Sequence, residues 1–440
     1  MKILVLILIL LTLFRVSVSA QTTDKVPGSS PPTGITMATL NGPFGRPDKL
    51  PITLNDAVSI FLQQNLQLVA ARYDIDIADA EKLTARLRPN PQISIEPSDI
   101  PPTLGKFFKP QTFAYSIEQT LELGGKRQKR ISAAEADSDV ARAAFEVVLW
   151  QLTNDVKKKF YSVLLAQSLL NLAKENEKTF QLIVDHTTDV FKSGEISGLD
   201  LQRLEVEKLK FDTDLANAER DYEVALRDLR AAISRNYESM DIDVTGSIEY
   251  YQSYDFSFTD LRDKALLARP DLKGAQLSER AADAAITLQN AQKIPDIAVG
   301  AGFEQVPAGG STYNLGVTIP LPVFNRNQGE RAKALIQKSK AQNDQKILTN
   351  QIISDVDKAF VSFQIQKRRL DLYRSGIMTK VTNIERMTEF SLKSGESSTL
   401  ELLDAIRTRR DTIAGFYQAI FDYESSLLDL ELATATPLLK

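Results

Sequence analysis

The sequence predicts a mainly α protein with a small membrane β part, built from two structural repeats of helix, strand, strand, long helix and helix. A motif shows the duplication, because Lys192-Ser193-Gly194-Glu195 recurs 201 residues later as Lys393-Ser394-Gly395-Glu396. Runs of tens of residues without Gly or Pro are rich in Ala, Leu, Lys and Glu, which favour helices. Four short runs alternate between apolar and polar side chains, the period of a strand.

Residues 1–20 have the pattern of a secretory signal peptide. Lys2 precedes the apolar run Ile3 to Phe14, and Val18-Ser19-Ala20 supplies small residues before Gln21. About twelve apolar residues are too few to span a bilayer core as a helix. Without a Cys after the cleavage site, no lipid anchor is expected on the mature chain, and entry into a membrane would need strands. The Pro, Gly, Ser and Thr of residues 21–51 predict an extended N-terminal arm.

The first repeat is predicted over residues 52–234. A helix from Ile52 to Arg88 contains neither Gly nor Pro and ends at Pro89-Asn90-Pro91. After two strands and Leu123-Gly124-Gly125-Lys126-Arg127, no Gly or Pro occurs until Gly194. Such a helix would be on the order of 100 Å long. It then turns into a helix that returns to about Ser234. The predicted strands of this repeat are residues 92–97 and 112–120.

Residues 235–257, rich in Tyr around Gly246, are interpreted as an inter-repeat linker with a short strand. The second repeat, residues 258–440, predicts the same order of elements. A helix runs from about Phe258 to Lys293, and a second helix from about Gly329 to Lys393 is interrupted only by Gly376. A last helix runs to about Leu432. The predicted strands are residues 296–304 and 312–320.

Each strand has one aromatic or β-branched face and one small or polar face. We interpret the apolar faces as lipid-facing, as in outer membrane barrels; the alternative is a pair of soluble hairpins packed on helices. Four strands cannot close a barrel, since about eight are the minimum, so the copies must associate. A helix on the order of 100 Å must likewise pack sideways on other helices. The lipid-facing residues are predicted to be Phe113, Tyr115, Ile117, Tyr313, Leu315 and Val317.

These features resemble the outer membrane efflux protein (TolC-like) family over nearly the whole mature chain. The resemblance rests on the order of elements together with the two Ser-Gly-Glu turns and four further motifs. The motifs near Leu123 and Asn90 are similar to those of the heavy-metal (CzcC-like) branch, which serves resistance-nodulation-division pumps. The four motifs are Leu54-Asn55-Asp56-Ala57, Arg88-Pro89-Asn90-Pro91, Leu123-Gly124-Gly125-Lys126-Arg127 and Ile319-Pro320-Leu321-Pro322.

The resemblance implies a homotrimer in the outer membrane, with a twelve-stranded β-barrel in the lipid and a twelve-helix tunnel in the periplasm. It implies a passive exit duct of a tripartite efflux system, without a cofactor. The implied partners are a periplasmic adaptor protein and an inner-membrane transporter of the resistance-nodulation-division type.

The resemblance also assigns roles to the two repeated turns. It implies that Asp200, Glu401 and Asp404 line the periplasmic aperture, where a ring of carboxylates would attract cations. It implies that the turns dock the adaptor, although each residue there can equally be an ordinary turn or surface residue. Gly194 and Gly395 supply the positive φ of a reversal, and the Ser residues cap the returning helices. The predicted docking residues are Gly194, Glu195, Ser197, Gly395, Glu396 and Ser398.

The predicted function is conduction of small solutes, in particular divalent metal cations, across the outer membrane. Drug efflux, type I secretion and a soluble periplasmic coiled-coil scaffold are the alternatives. The absence of Cys and the presence of a single His, His186, exclude thiolate chemistry and give no set of metal ligands. The net charge of −4 gives no indication of nucleic-acid binding. No nucleophile–base set or phosphate loop is found, so an enzyme is not expected.

Overall fold

The computed structural model describes residues 50–98, 112–194, 196–233, 241–248, 252–306, 310–393 and 399–438. The predicted signal peptide and most of the predicted arm lie outside these residues. The elements of the first repeat, with the strands that flank its helices, are β1 (Leu50–Ile52), α1 (Leu54–Gln64), α2 (Leu66–Arg86), β2 (Gln92–Ser98), β3 (Thr112–Leu121), α3 (Lys126–Lys192), α4 (Gly198–Ile233) and β4 (Ile242–Val244).

The second repeat follows the same order, so the predicted fold class is confirmed. A π-helical turn, Tyr373–Ile377, separates its long helix into two parts at the predicted Gly376. The elements are α5 (Phe258–Ala268), α6 (Pro270–Gln292), β5 (Ile297–Val306), β6 (Gly310–Thr318), α7 (Gln328–Leu372), α8 (Met378–Lys393) and α9 (Thr399–Thr434). Among the described residues, no helix combines the length and the apolar character needed to cross a bilayer.

The prediction of one helix from Ile52 to Arg88 is wrong, because Asn65 separates α1 from α2. Ile52 itself belongs to β1. The Asn65 backbone is extended, with φ −66° and ψ 124°, and its Oδ1 accepts a hydrogen bond from the Leu68 amide at 2.9 Å. Its Nδ2 donates to the Ala232 carbonyl at 2.7 Å. A side chain that bonds the backbone competes with the helix, and here it caps a new one.

The prediction of one helix from Phe258 to Lys293 is wrong for a related reason. Pro270 occupies the first position of α6, and Arg269 before it is extended, with φ −63° and ψ 122°. Proline disfavours the helical conformation in the residue that precedes it, so the break falls at Arg269. The two repeats therefore bend their first helix at equivalent places by different means.

The four long strands form one antiparallel sheet in the order β2-β3-β5-β6. The register pairs Tyr115 with Phe303 and Phe303 with Tyr313, and it pairs Ile117 with Ala301. Helices continue from these strands in the matching order, since α3 packs on α2 and α6, and α6 packs on α7. The body is thus a layer of helices that prolongs a sheet, with β2 and α2 at one edge and β6 and α7 at the other.

The joint between sheet and helices uses the predicted Gly-Gly motif. Gly124 and Gly125 both have positive φ, 71° and 68°, and a Cβ at Gly124 would lie 2.7 Å from Ile294 Cδ1. Lys126 Nζ then meets Asp296 Oδ1 at 2.7 Å, which ties the start of α3 to the start of β5. Conformation favours glycine at both positions, and crowding against Ile294 adds to this at Gly124.

A central core lies where the short sheet β1-β4, the linker and the long helices meet. Tyr423 of α9 is buried there, and its hydroxyl donates to the Gln252 carbonyl at 2.8 Å and accepts from the Tyr254 amide at 3.2 Å. The predicted short strand of the linker is β4, which pairs in parallel with β1. Residues Gln252 and Tyr254 of the linker are therefore held against the last helix.

Candidate functional site

The first turn between long helices reverses at Gly194. Its φ is 83°, and a Cβ built there meets nothing within 4 Å, so conformation alone favours glycine. Ser197 caps α4, because its Oγ accepts from the Leu199 amide at 3.1 Å and its carbonyl accepts from the Asp200 amide at 3.1 Å. Contact with a docking partner stays a prediction for both residues. The other predicted docking residues, Glu195, Gly395, Glu396 and Ser398, lie outside the described residues.

The structure places the predicted aperture residues on two helices. Asp200 is half-buried at the start of α4, with Arg203 at 3.6 Å. Glu401 and Asp404 are exposed on one face of α9, and Asp411 continues that face two turns on. Spacings of three and seven residues align side chains along a helix. The result is an acidic stripe, defined here as Glu401, Asp404 and Asp411. Its position at an aperture stays a prediction.

Opposite the acidic stripe, α9 buries an apolar face against both α3 and α4. Phe180 of α3 and Phe211 of α4 stack with ring centroids 4.5 Å apart, and both are almost fully buried. Leu402, Leu403 and Ile406 of α9 join the same cluster. Aromatic pairs of this kind add about 0.5–1.5 kcal/mol beyond burial. This small core holds the three helices together near the turn, apart from the central core.

A buried ion pair beside this core was not predicted from the sequence. Glu207 of α4 is 5% exposed, and its Oε1 accepts from Arg407 Nε of α9 at 2.8 Å, while Arg407 Nη2 meets Oε2. Lys210 Nζ adds a contact of 2.9 Å. Burial opposes ionisation of Glu207, but the hydrogen bonds from Arg407 and Lys210 outweigh it and lower its pKa. The same bond raises the pKa of Arg407.

Two more arginines of α9 extend the contact. Arg410 Nη1 meets Asp214 at 2.8 Å and its guanidinium lies 5.4 Å from the Phe211 ring centre, while Arg409 Nη2 meets Glu175 of α3 at 2.7 Å. An open groove of about 370 Å³ runs beside the Glu207–Arg407 pair, lined also by Gln202, Val206 and Leu403. The sequence does show a cluster of charged residues at 407–411. The residues that pair with its arginines lie about 200 positions away, and no local pattern in the sequence marks them.

The predicted lipid-facing residues share one face of the sheet. Phe113, Tyr115 and Ile117 of β3 are exposed on the same face as Tyr313, Leu315 and Val317 of β6, as the register requires. The other face carries small and polar side chains such as Ser116, Gly302 and Asn314. Contact with lipid stays a prediction. Among the described residues, these side chains form one continuous apolar sheet face that no helix or other strand covers.

Within the described part of the chain, no group of three His, Cys, Asp or Glu side chains is placed to hold a metal ion. His186 is exposed on α3. The acidic stripe can therefore attract cations electrostatically without fixing one in a coordination shell.

Comparison with known families identifies the class of protein. The model of the outer membrane efflux protein family matches residues 57–235 and 261–435, which together are most of the chain. The chain belongs to this family. It is an outer membrane efflux channel of the kind that works in tripartite pumps, and it is not an enzyme.

Individual relatives and one solved structure agree with this assignment. The cobalt-zinc-cadmium resistance protein CzcC of Cupriavidus metallidurans is 26% identical over 368 residues, which cover 83% of this chain and 85% of CzcC. The nickel and cobalt resistance protein CnrC of the same organism is 26% identical over 304 residues, covering 63% and 68%. The CmeC outer membrane channel of Campylobacter jejuni superimposes with a TM-score of 0.73 at 15% identity, covering 87% and 85%. That likeness concerns the fold alone.

Proposed function

We propose that three copies of the chain close into a single duct that carries divalent metal cations out of the periplasm. The observation that carries the proposal is the one-sided sheet whose edge strands, β2 and β6, pair with no further strand among the described residues. Joining β6 of one copy to β2 of the next satisfies both edges. Four strands per copy then give a barrel of twelve, with the apolar face toward lipid and the small polar face toward water.

The helices support the same association. On α2 the apolar residues Leu66, Tyr73 and Ile77 are exposed on the side opposite its buried face. On α7 the same holds for Ile336, Ile347 and Ile365. Exposed apolar stripes of this length indicate missing protein partners. Because α2 and α7 are the edge helices, one association between copies covers both stripes and pairs both strand edges.

Metal cations as cargo are supported by the resistance proteins CzcC and CnrC, whose names state cobalt, zinc, cadmium and nickel. They are also supported by the acidic stripe on α9, which would appear three times around a trimer. Drug efflux and type I secretion through the same fold are the competing proposals.

We call the two repeated turns, with the ends of the helices that they join, the tips. The tips are proposed to dock a periplasmic adaptor that links the duct to an inner-membrane transporter of the resistance-nodulation-division type. The groove beside Glu207 and Arg407 offers an apolar floor with charged walls near the turn at Gly194. An inserted helical hairpin could bury Val206 and Leu403 there. In this proposal the duct is passive, and the transporter supplies the energy.

The test is current through the purified protein in planar bilayers. With a gradient of cobalt or zinc chloride, the wild type should be cation-selective, and Glu401→Ala with Asp404→Ala should raise conductance or weaken block by the divalent ion. A matched control, Asp74→Ala with Glu81→Ala on α2, removes two exposed carboxylates away from the turn. Equal conductance and equal block in all three proteins would reject the assignment of Glu401 and Asp404 to the aperture. Anion selectivity of the wild type would reject metal cations as cargo.

A further inference from the structure

Basic residues are concentrated where the sheet meets the helices. Arg86 and Arg88 precede β2, Arg127 and Lys129 follow β3, Lys293 precedes β5, and Arg326 follows β6. The basic belt is defined as these six residues. The first and second repeats contribute at the same level, because Lys126 meets Asp296 at 2.7 Å and Gly124 packs on Ile294. The whole chain, by contrast, has a net charge of −4.

Within the described part of the chain, no carboxylate pairs with the basic belt. The nearby acidic residues pair with other bases: Glu122 with Arg130 at 2.6 Å, Asp296 with Lys126 at 2.7 Å, and Glu330 with Lys333 at 3.5 Å. None of the six belt residues forms an ion pair with any residue that the structure describes. Arg127 Nε instead donates to the Arg86 carbonyl at 2.7 Å. All but Arg127, which is half-buried, are exposed. Such a patch attracts anions.

The position of the belt relative to the sheet indicates the source of the anions. Strands β3 and β5 have 10 residues each and β6 has 9, and about 9–11 residues carry a tilted strand across a bilayer. The helix end of the sheet therefore lies at the level of the lipid head groups. Leu321 and Phe324, 80% and 92% exposed, lie just before Arg326 and are suited to the acyl boundary beside those head groups.

Both edges of the sheet bring basic residues to a seam between copies. Arg86 and Arg88 lie by the β2 edge and Arg326 by the β6 edge. If copies join edge to edge, bases from both sides come to the same seam and repel each other. An anion at the seam would remove this repulsion. At the level of the lipid head groups, the membrane is the nearest source of such an anion.

We propose that the basic belt binds the phosphate head groups of anionic phospholipids in the periplasmic leaflet of the outer membrane. The inference rests on the proposed insertion of the sheet, and it goes beyond that function by giving the duct a lipid preference. Each basic residue near an anionic surface should raise the preference for anionic over zwitterionic lipid about fivefold at low salt.

The experiment compares three forms of the full-length protein in vesicles of phosphatidylcholine with and without phosphatidylglycerol. The belt variant is Arg88→Gln, Lys293→Gln and Arg326→Gln. The control variant is Lys178→Gln, Lys264→Gln and Lys346→Gln, which removes three exposed bases from the helices. Retained lipid is measured by native mass spectrometry after extraction. Wild type and control should retain phosphatidylglycerol at least tenfold over phosphatidylcholine, and the belt variant should lose most of this preference.

Flotation with the vesicles separates the inference from the function on which it rests. A wild type that fails to float with either lipid overturns the proposed function and the inference together. A wild type that floats but retains both lipids equally overturns the inference alone. Equal lipid retention by the belt and control variants would also overturn the inference alone. So would a belt variant that loses its trimer and keeps its lipid preference, because the belt would then contact protein.

Discussion

Glu207 illustrates how a single side chain can hold two repeats together. It is buried on α4, and its carboxylate contacts Nε and Nη2 of Arg407 on α9. Arg407 lies 200 positions further along the chain. A buried carboxylate is costly without such a partner, so the pair acts as a unit. Its position beside the Phe180–Phe211 stack makes the contact between α4 and α9 specific in register, whereas apolar packing alone would allow them to slide.

Replacing Glu207 by Gln should loosen the tip locally. The variant keeps the shape but leaves Arg407 with a neutral partner, which should cost about 1–3 kcal/mol. Because the pKa of Glu207 is lowered, wild-type stabilisation is present above pH 4.5 and is lost as the pH falls below it. Hydrogen exchange of the amides in α4 and α9 should speed up at the tip alone. Glu205→Gln, at an exposed position, should leave exchange unchanged; equal protection in both variants would contradict this role.

Glu424 presents the opposite situation in the body of the molecule. It is 3% exposed on α9, its Oε2 has no hydrogen-bond partner among the described residues, and burial followed by repulsion from Glu431 raises its pKa to about 7. Glu431, by contrast, is held by Lys157 Nζ at 2.8 Å. Burial raises the pKa of Tyr161 on α3, and the nearby carboxylates of Glu424 and Glu431 raise it further. The carboxyl of Glu424 is thus stable in the fold mainly in its protonated form.

The free energy of unfolding should therefore depend on pH through Glu424. Since its folded pKa exceeds the ordinary 4.5, the contribution is full below pH 4.5 and is lost as the pH rises through about 7. The loss is about 3 kcal/mol at high pH. Glu424→Gln should remove this slope and raise the Tm at pH 8, measured by calorimetry. Glu431→Gln should lower the Tm instead, because it breaks the pair with Lys157; a Tm of Glu424→Gln below that of wild type at pH 8 would refute the assignment.

At the scale of elements, breaks within helices fix where the helical layer bends. The π-helical turn at Tyr373–Ile377 contains Gly376 with φ 99°, and Tyr373 packs over Gly415 of α9, where a Cβ would lie 2.5 Å from its hydroxyl. Insertions of this kind change the direction of a helix. The bend in the second repeat has no counterpart in α3, which is continuous for 67 residues. The two repeats thus reach the turns along different paths.

Asn65 is the element-scale position most open to test. Asn65→Ala removes the cap on α2 and the bond to the Ala232 carbonyl, which should cost about 1–3 kcal/mol. The same substitution at exposed Asn55 in α1 is the control and should cost about 0.5 kcal/mol or less. Urea unfolding followed by circular dichroism measures both. If the midpoints of the two variants fall together, the break at Asn65 does not depend on its side chain.

The sequence predicted elements where local signals suffice and missed contacts between distant residues. The run from Lys126 to Lys192 lacks Gly and Pro, and Gly194 provides a reversal, so their positions follow from local rules. The break at Asn65 depends on a carbonyl 167 residues away, and the Glu207–Arg407 pair depends on packing of α9 against α4. Glu424 looks in sequence like any solvated acid. None of these has a periodicity that could be recognised before folding.

For the whole molecule, the edge helices give the sharpest test of association. Ile77→Glu places a charge in the exposed apolar stripe of α2, which would be buried in the proposed trimer at a cost of several kcal/mol per seam. Gln67→Glu adds the same charge at an exposed position off the stripe. Trimers resistant to SDS at room temperature should be lost in the first variant and kept in the second. Intact trimers in both would place the seam elsewhere.

The two edges of the body are chemically different, and this has a genetic consequence. In the proposed ring each copy offers its β2 and α2 edge to one neighbour and its β6 and α7 edge to the other, a heterologous contact. A substitution in α2 therefore damages one seam for each mutant subunit in the ring. In an isologous dimer of two mutant subunits, it would instead strike the single shared contact twice. In cells that express both alleles, mixed rings would contain one, two or three weakened seams. If the ring exports metal cations as proposed, cellular resistance to cobalt or zinc should then fall in steps with the dose of the mutant allele.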